Sequence, residues 1–212
     1  MTALPDTAEA INAVRIQPWV ENPRFWQYRG EPVRLIGGSV EDNLFQIDAL
    51  EAHLDQLASA GGNYIRNTMS SRDPGNIWPF ERGEDGLYDL EKPSEAYFER
   101  FETCLRFCYE RDIIVQIELW DRFDFAREPW RDNPYRPANN GHYTAGEIGM
   151  EKDYPRHPGR NDNRFFYSVP ALDNNATLLR YQRIQVERML EISLKYPNVL
   201  YCMDNETSGD PA

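Results

Sequence analysis

Val199-Leu200-Tyr201-Cys202-Met203-Asp204-Asn205-Glu206-Thr207 is a short apolar run that comes after a helix-like segment and ends in an Asn-Glu pair. A buried parallel strand delivers polar residues to its C-terminal mouth in this way. Such an ending predicts a sheet covered by helices, with polar side chains gathered where its strands stop.

Working back from that strand, the same alternation recurs. A helix running from Asp173 or Asn174 to about Tyr196 carries Leu179, Val186, Met189, Leu190 and Leu194 as its expected buried side, and Pro197-Asn198 breaks it. Ile113 to Leu119 reads as a strand buried on both faces. The helix before it starts from Ser94 as N-cap and places Tyr97, Phe98, Phe101, Leu105 and Cys108 on one face. Asn63 to Met69 is a further strand. The helix from about Phe45 to Ala60, with Ile47, Leu50, Leu54, Leu57 and Ala58 at intervals of three and four, is stopped by Gly61-Gly62. Val33 to Gly38 is the first strand. Residues 1 to 13 read as a polar leader, and the aromatic run around Glu21-Asn22-Pro23 as a small hairpin.

The order is strand, helix, strand, helix, strand, helix, strand, and the long segments come after strands rather than after helices. Residues 70–93 and the fifty or so after Trp120-Asp121 are both long, while Gly61-Gly62, Asp112 and Pro197-Asn198 are short joints. That asymmetry belongs to a (β/α)8 barrel, whose strand-to-helix loops build the functional face. A doubly wound open sheet ranks second, because Gly37-Gly38-Ser39 lacks the glycine spacing of a phosphate turn. The predicted fold is α/β: the first four β/α units of a TIM barrel. Residues 1–32 form a leader and hairpin, and residues 33–212 an incomplete catalytic barrel.

Composition narrows the partners. The 212 residues carry 23 basic and 35 acidic side chains, a formal charge of -12, which repels nucleic-acid backbones and anionic membranes. No continuous apolar segment reads as a signal peptide or a bilayer span, so a soluble protein is expected, its compartment left open between cytoplasmic and processed secreted. Three cysteines, two of them four apart on one helix face, suggest buried thiols rather than disulfides; the three histidines have no ligand spacing, and no metal or cofactor is implied.

Two motifs at strand ends resemble a known family. Gly61-Gly62-Asn63-Tyr64-Ile65-Arg66 is similar to the second strand of clan A glycoside hydrolases, which include the family 5 cellulases, and Asn205-Glu206 resembles the pair closing their fourth strand. The resemblance spans nearly the whole chain but only the first half of the family's barrel. It implies retaining hydrolysis of β-linked sugars with Glu206 as general acid/base, Asn205 on the sugar hydroxyl beside the reacting carbon, and Arg66 supporting the nucleophile. The nucleophile itself belongs to the family's seventh strand. The implied partner is an oligosaccharide or polysaccharide, and the half-barrel alone is expected to be inactive. Its open sheet edges could be hidden by closing two copies as a homodimer.

Each assignment has a plainer counterpart. Glu206 could be a solvated residue at a strand end, Arg66 could pair with Glu118 or Asp204, and Trp120, Trp78 and Trp130 could pack the loops rather than stack on sugar. The third strand ends Glu118-Leu119-Trp120-Asp121, where many family members carry a His, so Asp121 is a candidate to stand in for that polar group. The rival reading of the whole chain is a non-catalytic carbohydrate-binding or scaffold half-barrel. An aldolase or isomerase would want a lysine at a strand end, and Lys92, Lys152 and Lys195 fall elsewhere.

Overall fold

A computed structural model describes residues 4–160 and 162–206; Met1 to Ala3 of the expected leader, and Thr207 onward, lie outside the described residues. The elements in chain order are α1 (Ala8–Val14), β1 (Gln17–Pro18), β2 (Trp26–Tyr28), β3 (Glu31–Val33), α2 (Leu50–Ser59), β4 (Tyr64–Thr68), β5 (Phe80–Arg82), β6 (Tyr88–Pro93), α3 (Glu95–Glu110), β7 (Ile114–Asp121), α4 (Arg127–Trp130), α5 (Ala145–Ile148), α6 (Ala176–Ser193) and β8 (Val199–Asn205). It is an α/β fold. The chain divides into two compact units, one of residues 4–69, 99–119 and 190–203 and the other of 70–98, 120–189 and 204–206.

The first unit holds the sheet β4-β7-β8, with β4 and β7 parallel and Tyr64 opposite Ile114 through Thr68 opposite Glu118. Segment 34–37 joins beside β4 through side chain as well as backbone. Asn63 receives the Ile36 amide on Oδ1 at 2.8 Å and donates from Nδ2 to the Arg34 carbonyl at 3.0 Å, and a parallel bridge links Gly37 to Tyr64. Gly37 is required there, because a Cβ would come within 2.1 Å of the Tyr64 carbonyl oxygen. Only this bridge at Gly37 represents the strand expected over Val33 to Gly38. Val33 instead ends the antiparallel sheet β1-β2-β3. Part of the expected leader is the helix α1, capped by Thr7, whose side chain accepts from the Ala10 amide at 3.1 Å; it buries no residue, which is why no apolar period announces it.

The second unit is built from the segments that leave the strand ends: Ser70 after β4, Trp120 within the end of β7, Asp204 within the end of β8. Its core is aromatic. Phe125 and Phe165 stack at 4.1 Å, Tyr135 meets Phe165 edge-on at 4.7 Å, and Trp130 is completely buried. The long segment after Asp121 is thus a packed subdomain built on burial of large rings rather than on periodic elements. Within residues 70–93 the chain also forms the antiparallel pair β5-β6, three and six residues long.

Of the stripe expected on helix α6, Met189 is buried, but the rest of the buried stripe differs. Leu178, Tyr181, Gln182, Gln185, Met189 and Ile192 face inward, whereas Leu179 and Leu194 are exposed. Two glutamines can occupy a buried stripe because each is bonded: Gln182 Nε2 donates to the Phe165 carbonyl at 2.7 Å and Gln185 Oε1 accepts from the Tyr135 hydroxyl at 3.0 Å. An apolar-only pattern passes over such positions. Among the described residues no helix is long and apolar enough to cross a membrane.

Candidate active site

In the first unit, Arg66 on β4 reaches Asp42 at 2.5 Å and lies 3.8 Å from Glu118 of the neighbouring strand. Glu118 is buried and also accepts from Gln116 Nε2 at 3.2 Å, while Gln116 Oε1 accepts from the Tyr64 hydroxyl at 3.0 Å. Alternate residues of two parallel strands therefore put Tyr64, Arg66, Gln116 and Glu118 on one polar face of the sheet. Of the two carboxylates considered for Arg66, Glu118 is beside it; Asp204 is paired with Arg122.

The remaining candidates lie in the second unit. Asn205, the last residue of β8, is buried, and Glu206 comes next, exposed, with φ at 51° in the left-handed region. A non-glycine residue held there is strained by about 1–3 kcal/mol, a cost that recurs at functional positions. Asn205 Nδ2 faces Asp121 Oδ1 at 3.4 Å. A carboxylate can only accept, so the amide nitrogen and not the oxygen must face it, which fixes the sense of the Asn205 side chain.

Asp121 is the hub of this arrangement. Its side chain is 0% exposed; Oδ2 pairs with the Arg72 guanidinium and Oδ1 also accepts from the Phe123 amide at 3.0 Å, closing the turn after β7. This carboxylate is therefore closed to direct contact with a ligand, and Asn205 is the neighbour it holds. Trp120 is half-buried and meets Phe165, Phe125 and Tyr135 edge-on at 5.0, 6.4 and 6.4 Å, so part of its ring surface is committed to the aromatic core.

Three further residues belong to the site and were not singled out from the sequence: Arg72, Asp124 and Arg122. Asp124 is buried, takes the Ser70 hydroxyl at 2.7 Å and the Ser71 amide at 3.0 Å, and is pushed up to about 7, first by burial and then by the charge of Asp121. Asp204 is pushed up to about 6 by burial, against the pull of Arg122. The spacing Asp121-x-x-Asp124 after a strand end, and Ser70-Ser71-Arg72 directly after β4, are the sequence signals that could have found the first two. Chemically, two arginines face three acids, two of which are held above the usual carboxylate range, in a polar shell around the Asn-Glu strand end.

No family model matches this sequence, and no curated protein does. Solved structures match in fold. A glycoside hydrolase family 5 mannosidase from Rhizomucor miehei, in one variant, superposes with a TM-score of 0.55 at 15% identity over 93% of this chain and 50% of its own. A second variant of that mannosidase, in complex with mannosyl-fructose, gives 0.52 at 14% over 95% and 50%. A Bacteroides vulgatus protein provisionally described as a glycoside hydrolase gives 0.54 at 14% over 92% and 33%. This chain spans about half the length of the mannosidase and a third of the Bacteroides protein; at such identities the likeness is one of fold.

Proposed function

We propose that this chain, sharing its fold with half of a family 5 mannosidase, is the N-terminal half of a retaining glycoside hydrolase barrel acting on β-linked sugars. Residues 33–212 are read as its first four β/α units, with the leader and hairpin in front. The observation that carries this reading is the end of β8, where a buried, oriented Asn205 is succeeded at once by an exposed Glu206. Retention needs two carboxyl groups about 5 Å apart, one to protonate the leaving oxygen and one to attack the sugar carbon. Glu206 takes the first role and later draws the proton from the incoming water. Asn205 binds the hydroxyl next to the reacting carbon, its sense set by Asp121. Arg66 supports the attacking carboxylate electrostatically, and Trp120 offers the exposed part of its ring to a sugar face. The attacking carboxylate is assigned to none of these residues.

The test is hydrolysis of mannan- and cellulose-derived oligosaccharides by a polypeptide that joins this chain to the strands supplying the nucleophile, with Asn205→Ala beside it. Turnover lowered by Asn205→Ala is expected. Sugar binding without turnover by the native-sequence polypeptide would replace this reading with that of a non-catalytic carbohydrate-binding protein.

A further inference from the structure

Beside the β5-β6 hairpin, the second unit contains a cleft of about 660 Å³ whose lining includes Arg72, Asn76, Trp78, Glu81, Arg82 and Asp132. Its size is that of a small-ligand site. Four observations decide what it would take.

Trp78 is half-buried, lines the cleft, and is packed against the aromatic core, so the indole is a flat surface held from behind. Such a ring is suited to the C–H face of a pyranose, apolar on its face and polar at its rim. The cleft's two cations are already engaged: Arg72 with Asp121, and Arg82 through Nε to the Gly86 carbonyl at 2.7 Å, its guanidinium 5.3 Å from the centre of the Tyr88 ring. Among the described residues of the wall, Asp73, Glu81 and Asp132 outnumber the one cation whose charge no acid offsets, Arg82, and leave it acidic. A phosphate or uronate would be repelled, and a purely apolar ligand would have to strip water from carboxylates without replacing it. A neutral polyol instead donates its hydroxyls to them. Finally, Asn76 Nδ2 is buried in this wall and has no hydrogen-bond partner among the described residues. An amide donor left so costs about 1–3 kcal/mol, and a turn of this side chain toward the cleft it lines would let a sugar hydroxyl or ring oxygen relieve that cost.

We propose that this cleft is a carbohydrate subsite, holding a neutral hexose unit of the β-linked chain stacked on Trp78 and hydrogen-bonded by Asn76. The choice of a β-linked chain rests on the glycosidase reading above; the choice of a neutral sugar rests on the cleft. The two places share a side chain, since Arg72 lines the cleft and pairs with the Asp121 that orients Asn205.

Titration of the 212-residue chain with mannohexaose and with cellohexaose, monitored by the indole N–H resonances, tests the subsite. With at least one sugar the Trp78 resonance is expected to move while those of Trp19 and Trp26 stay, and Asn76→Ala to weaken that binding about tenfold. Trp78→Ala removes packing as well as a contact, so the wild-type resonance and the Asn76 variant decide the matter even if it does not fold. A Trp78 resonance unmoved by either sugar up to about 10 mM, or an affinity unchanged in Asn76→Ala, overturns the proposal. Failure of the two readings is separable: a silent Trp78 beside proven Glu206-dependent hydrolysis removes only the subsite. A responsive Trp78 without hydrolysis removes only the catalytic reading.

Discussion

Asn205 and Asp121 sit 84 residues apart in sequence and meet at the ends of β8 and β7, the Asn205 amide nitrogen 3.4 Å from a carboxylate oxygen that solvent does not reach. The contact joins a residue expected to touch sugar to one that cannot, and Arg72 holds the far side of the same carboxylate. Orientation of Asn205 is therefore a property of a buried charge pair.

Replacing Asp121 by Asn keeps the shape and removes the charge nearest to the Arg72 guanidinium. Removing one partner of a buried pair costs about 3–5 kcal/mol. Urea unfolding of Asp121→Asn should show a loss of that order, together with a displaced Asn205 side-chain amide resonance. A loss below about 1 kcal/mol, with the amide unmoved, would mean that the pair orients nothing.

The carboxyl of Asp124 should make stability fall with rising pH. Its native value of about 7 lies above its ordinary 3.8, so between these the unfolded chain has released the proton that the folded chain keeps. Each pH unit in that window favours the unfolded state by up to about 1.4 kcal/mol, a few kcal/mol at most in all, and the effect levels off above neutrality. Asp204, raised to about 6, adds a slope of the same sign at the acidic end. In denaturant unfolding from pH 4 to 8, stability should fall more steeply with rising pH in the wild type than in Asp124→Asn. Parallel profiles would contradict this.

Phe165 is completely buried against Phe125, Tyr135 and Trp120. Phe165→Ala should cost about 3–5 kcal/mol and open the segment after Asp121 to proteolysis, since among the described residues no long helix or strand holds that segment in its place. Cleavage confined to other regions would show that the rings do not carry its order.

Gly37→Ala places a methyl group against the Tyr64 backbone, where only backbone movement can relieve it. A loss of about 1–3 kcal/mol is expected from thermal or urea unfolding. An unchanged midpoint would mean that segment 34–37 is not pinned to β4.

The helices α2, α3 and α6, and the strands β4, β7 and β8, were legible because burial imposes a period on sequence, and β8 begins at the expected residue, Val199. The motif asparagine Asn63 was legible as a pattern but not as the clamp on Arg34 and Ile36 that the structure reveals. The elements that escaped had no period to show: α1 buries nothing, and β5 is three residues long amid charge and glycine. The same holds in the site. Arg72 and Asp124 come from the loops after two different strands, and only the folded chain brings them to Asp121. A fold like that of family 5 glycoside hydrolases was foreseeable from two motifs; a network of three acids and two arginines behind Asn205 was not.

The most direct test of the central claim is the turnover of Glu206→Gln in a polypeptide carrying this chain and the nucleophile strand, on a poor and on an activated leaving group. Loss of a proton donor should cost about a thousandfold or more on the poor leaving group and far less on the activated one, which departs without protonation. A loss below about tenfold on the poor leaving group would contradict the assignment of Glu206 as the general acid.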